Sequence, residues 1–296
     1  MTPSASLRDL RAATEAARLV GCPVHFMPPD FHACGTAHNA LSHIPDALQP
    51  TPALWIGYIL DFARYKAIYE AAHVKNIVLL NTPREHLRVQ EADGWLPLLD
   101  GLTPSSRVVQ RVEEYDAVTS ELRWPLFVKG AVQSREAGGW RACVAENLDE
   151  LRALCGELLA LEARSRGRVI VRELVALRHT RHAAGNFPMG REYRAFVLNH
   201  EVLALGYYWE GDDELKALTP IEHESVANLA RLASQRLNVP YLAVDIAQTT
   251  SGEWIVIEVG DAQFCGRCQI PPLTLWHRLR AASIKFPLSA YDLPTD

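Results

Sequence analysis

The chain has 296 residues, a formal net charge of −5, 48% hydrophobic and 22% charged residues, the composition of an ordinary globular protein rather than a disordered or fibrous one. Its mild acidity argues against binding to nucleic acid or a membrane surface by bulk charge, although a local basic pocket is compatible with it. At about 100–200 residues per domain, the length asks for two domains, or one with lobes.

The first residues, MTPSASLRDLRAATEAARLVG, read as an amphipathic helix over 6–20, without the apolar core and cleavage site of a signal peptide. The longest apolar runs, such as 53–60, are too short to span a bilayer. The expectation is a cytoplasmic protein with no membrane and no nucleic-acid partner. Six cysteines in a chain of this length do not make a disulfide scaffold. Cys265 and Cys268 form one CxxC; His32, Cys34 and His38 are irregularly spaced partners for it, and reduced, metal-free cysteines are expected.

Residues 23–27 read as a short strand. The stretch 31–52 is rich in His, Pro and polar residues and reads as a long loop carrying His32, His38 and His43, a length more often functional than filler. Residues 53–60 read as a buried strand, 62–72 as a helix and 77–80 as a second buried strand, which together suggest a parallel βαβ unit. A turn-rich junction at 102–106 closes this first α/β domain. Next come a short strand at 107–109, a strand at 124–130 with Lys129 near its end, a flexible glycine loop at 137–140, and a strand at 140–144 that pairs back. Asn147 and Glu150 cap a helix over 147–163. A strand spans 168–175, a loop 178–190, and a hairpin 192–208 with its turn at Asn199-His200. Thr219-Pro-Ile-Glu222 starts another helix with a capping pattern, and a last short helix lies near 275–282.

The stretch 241–263 reads as a hairpin around Ser251-Gly252. Side chains alternate along a strand, so Leu242, Val244 and Ile246 share one face and Ala243, Asp245 and Ala247 the other; Ile255, Ile257 and Val259 likewise alternate with Trp254, Val256 and Glu258. If Ser251-Gly252 is a two-residue loop, Asp245 stands across from Glu258. Opposed residues lie about 5 Å apart, where two like charges destabilise a sheet. A hard cation such as Mg²⁺ removes the conflict by taking carboxylate oxygens and filling its remaining positions with water and phosphate. Alternatively, the carboxylates face water on a half-exposed sheet.

Taken in order, Lys129 on a strand, a glycine loop, a helix, the strand bearing Glu173, the Glu192/Arg194 hairpin, a helix and the Asp245/Glu258 hairpin resemble the ATP-grasp superfamily. The pattern looks most like its small bacterial and phage branch, which is also similar to the eukaryotic cell-division-cycle ATP-grasp protein, an assembly chaperone for a translation initiation factor. The resemblance covers about residues 100–270 and rests on order and spacing rather than on one specific motif. It implies an α/β (α+β) architecture: an ATP-grasp fold of two α+β subdomains, residues 103–177 on the hinge side and 178–296 with the metal site, preceded by an N-terminal α/β pre-ATP-grasp domain at 1–102.

The resemblance also implies roles. Lys129 reaches α- or β-phosphate oxygens, and the segment 133–140 closes over the phosphates. Backbone groups of Glu173, Leu174 and Val175 receive adenine, with the Glu173 side chain on the adenine amino group or the ribose. Arg194 contacts the phosphates and, with Lys129, is the catalytic candidate; Arg107 stands for the first phosphate-binding basic residue. Asp245 and Glu258 hold Mg²⁺. The family's usual Glu-x-Asn lacks its amide here, leaving Asp261 or Gln263 as the source of another oxygen. The implied activity is that of an ATP- and Mg²⁺-dependent carboxylate–amine ligase working through an acylphosphate on a carboxylate and an amine from small molecules, peptides or proteins. A phosphotransferase using the same site and an ATP-binding assembly factor are the alternatives. The acceptor site is expected between the N-terminal domain and the hairpin face, near His32, His38, residues 178–182, Tyr207, Tyr208, Lys216 and Arg267.

Overall fold

Residues 5–28 and 31–283 are described by the structure, a computed structural model. The amphipathic helix α1 (Ala5–Leu19) is followed by a single turn, α2 (Ala37–Ala40), within the expected loop. Strands β1 (Thr51–Ala53) and β2 (Ile77–Leu79) pair in parallel, joined by α3 (Phe62–His73), as the βαβ reading requires. Helix α3 buries Tyr65, Ile68, Tyr69 and Ala72.

Two expectations fail in this part of the chain. Residues 23–27 form no strand. The expected strand at 53–60 stops at Ala53, and 54–60 leave the sheet as irregular backbone. Gly57 accounts for the departure, because the chain folds back over Trp55 so closely that a Cβ at Gly57 would stand 2.7 Å from Trp55 Nε1. Helices α4 (Pro83–Gln90) and α5 (Ala92–Trp95) follow β2, where no helix was expected. Thr82 and Glu85 make a reciprocal capping box at the start of α4.

The second sheet contains β3 (Ser106–Val109), β4 (Leu126–Gly130), β5 (Val144–Ala145) and β6 (Val169–Glu173) in the order β3-β6-β4-β5, all antiparallel. Helices α6 (Tyr115–Glu121) and α7 (Leu148–Leu159) cover one face, packing Tyr115, Val118, Leu151 and Leu158 on Val128, Val169 and Val171. The expected strand at 140–144 shrinks to β5, since 140–142 form a turn of 3-10 helix. The helix expected over 147–163 breaks after α7 and resumes as the short α8 (Glu162–Ser165).

Residues 178–190, expected as loop, contain the small antiparallel pair β7 (His179–His182) and β8 (Pro188–Gly190). The largest sheet holds β9 (Glu192–Leu198), β10 (Glu201–Tyr207), β11 (Tyr241–Gln248) and β12 (Trp254–Asp261) in the order β10-β9-β11-β12. Asn199 and His200 turn the β9–β10 hairpin with φ of +47° and +67°, the signs a type I′ turn requires. On one face, α9 (Pro220–Leu237) and α5 bury Leu242, Val244 and Ile246. On the other face, α1 and α10 (Pro272–Ser283) bury Phe196, Tyr241 and Ala243. Burial of this kind stabilises by about 25 cal/mol per Å² of apolar area removed from water. No helix among the described residues is long and apolar enough to cross a membrane.

Candidate active site

Asp245 shares its face of β11 with Tyr241 and Ala243, one step beyond the part that α1 and α10 cover. It pairs with Arg194 on β9 and with Glu258 on β12, so the three charged residues form one row across the sheet. The expected opposition of Asp245 and Glu258 is present, but the turn that creates it differs from the expected one. Gln248 pairs with Trp254, and the Thr249 amide donates to the Glu253 carbonyl at 2.8 Å, which makes the loop one residue longer than Ser251-Gly252. A bulge at Ile257 then restores the pairing of Asp245 with Glu258. Without the bulge, Glu258 would stand opposite Val244 and enter the apolar core, because a one-residue slip moves a side chain to the other face. The bulge also divides the aliphatic face expected for β12: Val256 and Val259 reach the core together, and Ile255 pairs with Ala247.

The guanidinium of Arg194 grips Asp245 with two bonds, Nε to Oδ1 at 2.7 Å and Nη2 to Oδ2 at 2.6 Å, and donates through Nη1 to the Gly266 carbonyl at 2.8 Å. Its Cζ lies 5.0 Å from the centre of the Tyr208 ring. Lys129 comes from β4 of the second sheet, is buried, and donates through Nζ to Glu258. Lys129 and Arg172 lie on the same face of that sheet, since Lys129 pairs with Ile170 and Arg172 with Phe127. Arg172 is 5% exposed. It donates through Nη1 to the Ile257 carbonyl at 2.7 Å and through Nε to Ser106 Oγ at 3.2 Å, while Nη2 is buried with no hydrogen-bond partner among the described residues.

Burial raises the Glu258 carboxyl, but Lys129, Arg194 and Arg172 outweigh it and hold the group below the usual range. Burial together with Glu258 pushes the Asp245 carboxyl up against the opposing pull of Arg194. Glu192, two residues before Arg194, is 7% exposed, and burial with Asp245 and Glu136 nearby lifts it well above the ordinary carboxylate range. Glu136, on the glycine loop, is raised by burial and by Glu258 and Asp245. Burial brings Arg172 down to about 10 against Glu258 and Glu136. The site therefore joins four carboxylates and three cations drawn from two sheets and a loop.

The glycine loop reaches across to the β7–β8 turn. Gly139 has φ +83° and Gly185 φ +67°, and a Cβ on either would lie 2.6 or 2.7 Å from the other's backbone.

Three residues read as site candidates stand elsewhere. Arg107 pairs with Val171, which turns it to the helix-covered face of the second sheet, where Nε meets Glu121 Oε2 at 2.5 Å. Alternation along β6 places Arg172 on the site face instead. The Glu173 carboxylate also faces away, accepting from the Arg123 amide at 3.0 Å and from Nη2 at 3.0 Å. The Leu174 amide donates to the Pro125 carbonyl at 3.1 Å, and Val175 follows beyond the end of β6. Asp261 is fully buried and separate from the charged row: His86 Nδ1 lies 2.8 Å from Oδ2, and Oδ1 accepts from Asn81 Nδ2 at 2.8 Å and from the Gln263 amide at 3.0 Å. Those bonds tie β12 to the N-terminal helices and use the oxygens proposed for a metal. Arg172, Glu136 and Glu192 carried a fainter signal in the sequence, charged residues inside or beside apolar strands and the glycine loop. Among the described residues, no three His, Cys, Asp or Glu side chains are already arranged to hold a metal ion.

A cavity of about 640 Å³ adjoins the row through Cys265 and Gly266. It opens between α1, residues 54–64, residues 132–133 and 163–166, residues 262–267 and α10. Of the expected acceptor residues only Arg267 lines it. His38 is exposed on α2, Lys216 pairs with Asp212, and Tyr207 donates to Asp213 at 2.9 Å, while the side chain of His32 lies outside the described residues.

A family model described as an ATP-grasp domain, the third family of its clade, matches residues 66–279. A search of curated proteins finds no match to the chain. Among solved structures, a RimK domain ATP-grasp protein from Sphaerobacter thermophilus is similar at 16% identity and TM-score 0.59, with 96% of each chain covered. A D-alanine–D-alanine ligase from Bacillus anthracis is similar at 11% identity and TM-score 0.66, covering 96% of this chain and 95% of that one. The ATP-grasp ligase PsnB in complex with a minimal precursor is similar at 16% identity and TM-score 0.55, covering 93% and 94%. At these identities the likeness speaks for the shared fold.

Proposed function

Because the chain belongs to this ATP-grasp domain family, we propose that it is an ATP- and Mg²⁺-dependent carboxylate–amine ligase that activates its carboxylate as an acylphosphate. The observation that carries this reading is the meeting of Lys129 and Arg172 from one sheet with Arg194, Asp245 and Glu258 from the other, with Arg172 Nη2 buried and unpartnered among the described residues. A buried cationic donor without an acceptor costs free energy unless an anion arrives, and a phosphate oxygen meets that need.

In the ligand-free chain each carboxylate of the row is neutralised by a cation, Glu258 by Lys129 and Asp245 by Arg194. Nucleotide binding exchanges these partners. Lys129, Arg172 and Arg194 turn to phosphate oxygens, and Asp245 and Glu258 become free to hold Mg²⁺, which suits two carboxylates supplemented by phosphate and water. When bound there, Mg²⁺ supplies neutralisation and orientation of the phosphates. The adenine edge meets the backbone of Glu173 to Val175, where the chain leaves β6. The three cations hold the γ-phosphate in line with the substrate carboxylate, and the glycine loop with Glu136 excludes water. The carboxylate oxygen attacks phosphorus and ADP leaves. The amine then attacks the acyl carbon, the bond to phosphate breaks, and the amine loses its proton.

The test is incubation with ATP, Mg²⁺ and a panel of amino acids and peptides, with hydroxylamine added. A ligase yields ADP, phosphate and a hydroxamate. Transfer of labelled γ-phosphate onto a stable acceptor without hydroxamate would make the chain a phosphotransferase and overturn the proposal.

A further inference from the structure

The cavity beside the charged row has walls of mixed origin. Asp9, Leu10 and Ala13 of α1 and most of residues 54–64 line it, and all of these precede residue 66, where the family match begins. This wall is thus particular to the chain rather than part of the shared domain. Its apolar surface includes Leu54, Trp55, Ile56, Phe196, Phe264 and Trp276. The volume falls within the range of about 300–1,000 Å³ typical of small-molecule sites.

The charges in this cavity do not balance. Arg267 Nε faces Asp9 at 3.4 Å, and Arg64 Nε faces Asp61 at 3.4 Å. The third guanidinium, Arg166, follows α8 at φ +49° and lines the same cavity with no ion pair among the described residues. One cation is left in excess. Trp55 Nε1 is also buried without a hydrogen-bond partner among the described residues, and an indole N–H is a donor only. An unmatched guanidinium and an unmatched neutral donor above apolar walls describe a site for an anion with an apolar body.

We propose that this cavity receives the carboxylate substrate, an amino acid or peptide end with a bulky apolar side chain, with Arg166 anchoring its carboxylate and Trp55 supplying a neutral donor and an aromatic wall. The inference rests on the ligase reading for the identity of the group to be activated. Specificity then resides in the N-terminal segment and in Arg166, whereas the nucleotide machinery resides in the two larger sheets.

The experiment titrates N-acetyl-L-phenylalanine and its uncharged amide into the full chain by calorimetry, without nucleotide and then with AMP-PNP and Mg²⁺. The acid is expected to bind at least tenfold more tightly than the amide and tenfold more tightly than N-acetylglycine. Arg166→Gln removes the preference for the acid over the amide, Arg166→Lys retains most of it, and both variants melt as the parent does. Trp55→Phe weakens acid and amide together. Equal binding of acid and amide by the parent, or an acid preference that survives Arg166→Gln, overturns the proposal. So does a tenfold loss of AMP-PNP affinity in Arg166→Gln, since the guanidinium would then read a phosphate. Selective binding of the acid by a chain that does not bind AMP-PNP overturns the ligase reading and upholds the pocket.

Discussion

Arg172 Nη1 donates to the carbonyl of Ile257, the extra residue in the bulge of β12, at 2.7 Å. The bond joins the two sheets at the position that brings Glu258 opposite Asp245. One guanidinium therefore fixes the bulge with one nitrogen and leaves another, Nη2, buried beside the row and unpartnered among the described residues. Arg172→Lys keeps the charge but loses the fork. Hydrogen bonds to charged groups contribute about 1.5–3 kcal/mol, so AMP-PNP affinity in the presence of Mg²⁺ is expected to fall about tenfold or more. Titration of the variant checks this, and unchanged affinity would remove Arg172 from the phosphate site.

Replacement of one carboxylate in the row should separate fold from function. Asp245→Asn leaves the buried Arg194 without its counter-charge, and breaking a buried pair by removing one partner costs about 3–5 kcal/mol. Glu258 is 34% exposed at its side chain, so Glu258→Gln should cost far less stability. Both variants should lose Mg²⁺-dependent AMP-PNP binding. Urea melts and nucleotide titrations run together read the two effects, and Mg²⁺-dependent binding retained in both variants would defeat the metal assignment.

Asp261 gives the opposite pattern. Its partners are His86, Asn81 and Gln263 rather than the charged row. Asp261→Ala should destabilise the chain by about 3 kcal/mol or more through orphaned buried partners. The Mg²⁺ requirement of nucleotide binding, measured below the melting temperature, should be that of the parent.

The capping carboxylate of α9 provides a pH test. The Arg191 guanidinium and the Thr219 amide hold Glu222 down at about 2, below its ordinary 4.5. A depressed folded-state value gives stability that is fully present above the unfolded value and is lost as pH falls through the folded one. Glu222→Gln retains the capping geometry and removes the charge. Allowing for solvent screening, it should cost about 1–2 kcal/mol at pH 7. The difference from the parent should shrink as pH falls from above 4.5 towards 2. Urea denaturation across this range reads the effect, and a cost that does not change with pH would contradict the electrostatic account.

The contact of Gly139 with Gly185 predicts a loop effect. Either residue replaced by alanine is strained at its positive φ and meets the opposing backbone at 2.6 or 2.7 Å. The expected result is faster amide exchange over 136–140 and 183–187, with nucleotide affinity reduced several-fold. Unchanged exchange in both variants would show that the two loops do not depend on each other.

Much of the architecture is legible in local pattern. Period two in 241–248 assigns Leu242, Val244 and Ile246 to the core and Asp245 to the other face, and the structure places them so. Thr219-Pro-Ile-Glu222 announces α9 through capping chemistry confined to four residues. The same signal in Thr82-Pro-Arg-Glu85 opens α4 yet is easily missed, because the eight-residue helix behind it offers only a short periodic stretch. The run 53–60 looks like a strand because hydrophobicity reports burial without reporting against what. It lines a cavity after bending over Trp55 at Gly57.

The chain by itself determined the family pattern, the order of elements and the carboxylates on β11 and β12, because alternation, caps and turn residues act over a few positions. Tertiary structure alone decided that a bulge at Ile257 aligns Glu258 with Asp245 and that Arg172 rather than Arg107 faces the row. It also decided that Asp261 serves the contact with the N-terminal helices. The physical reason is common to all three: which way a strand residue points depends on register, and register is set by partners distant in sequence.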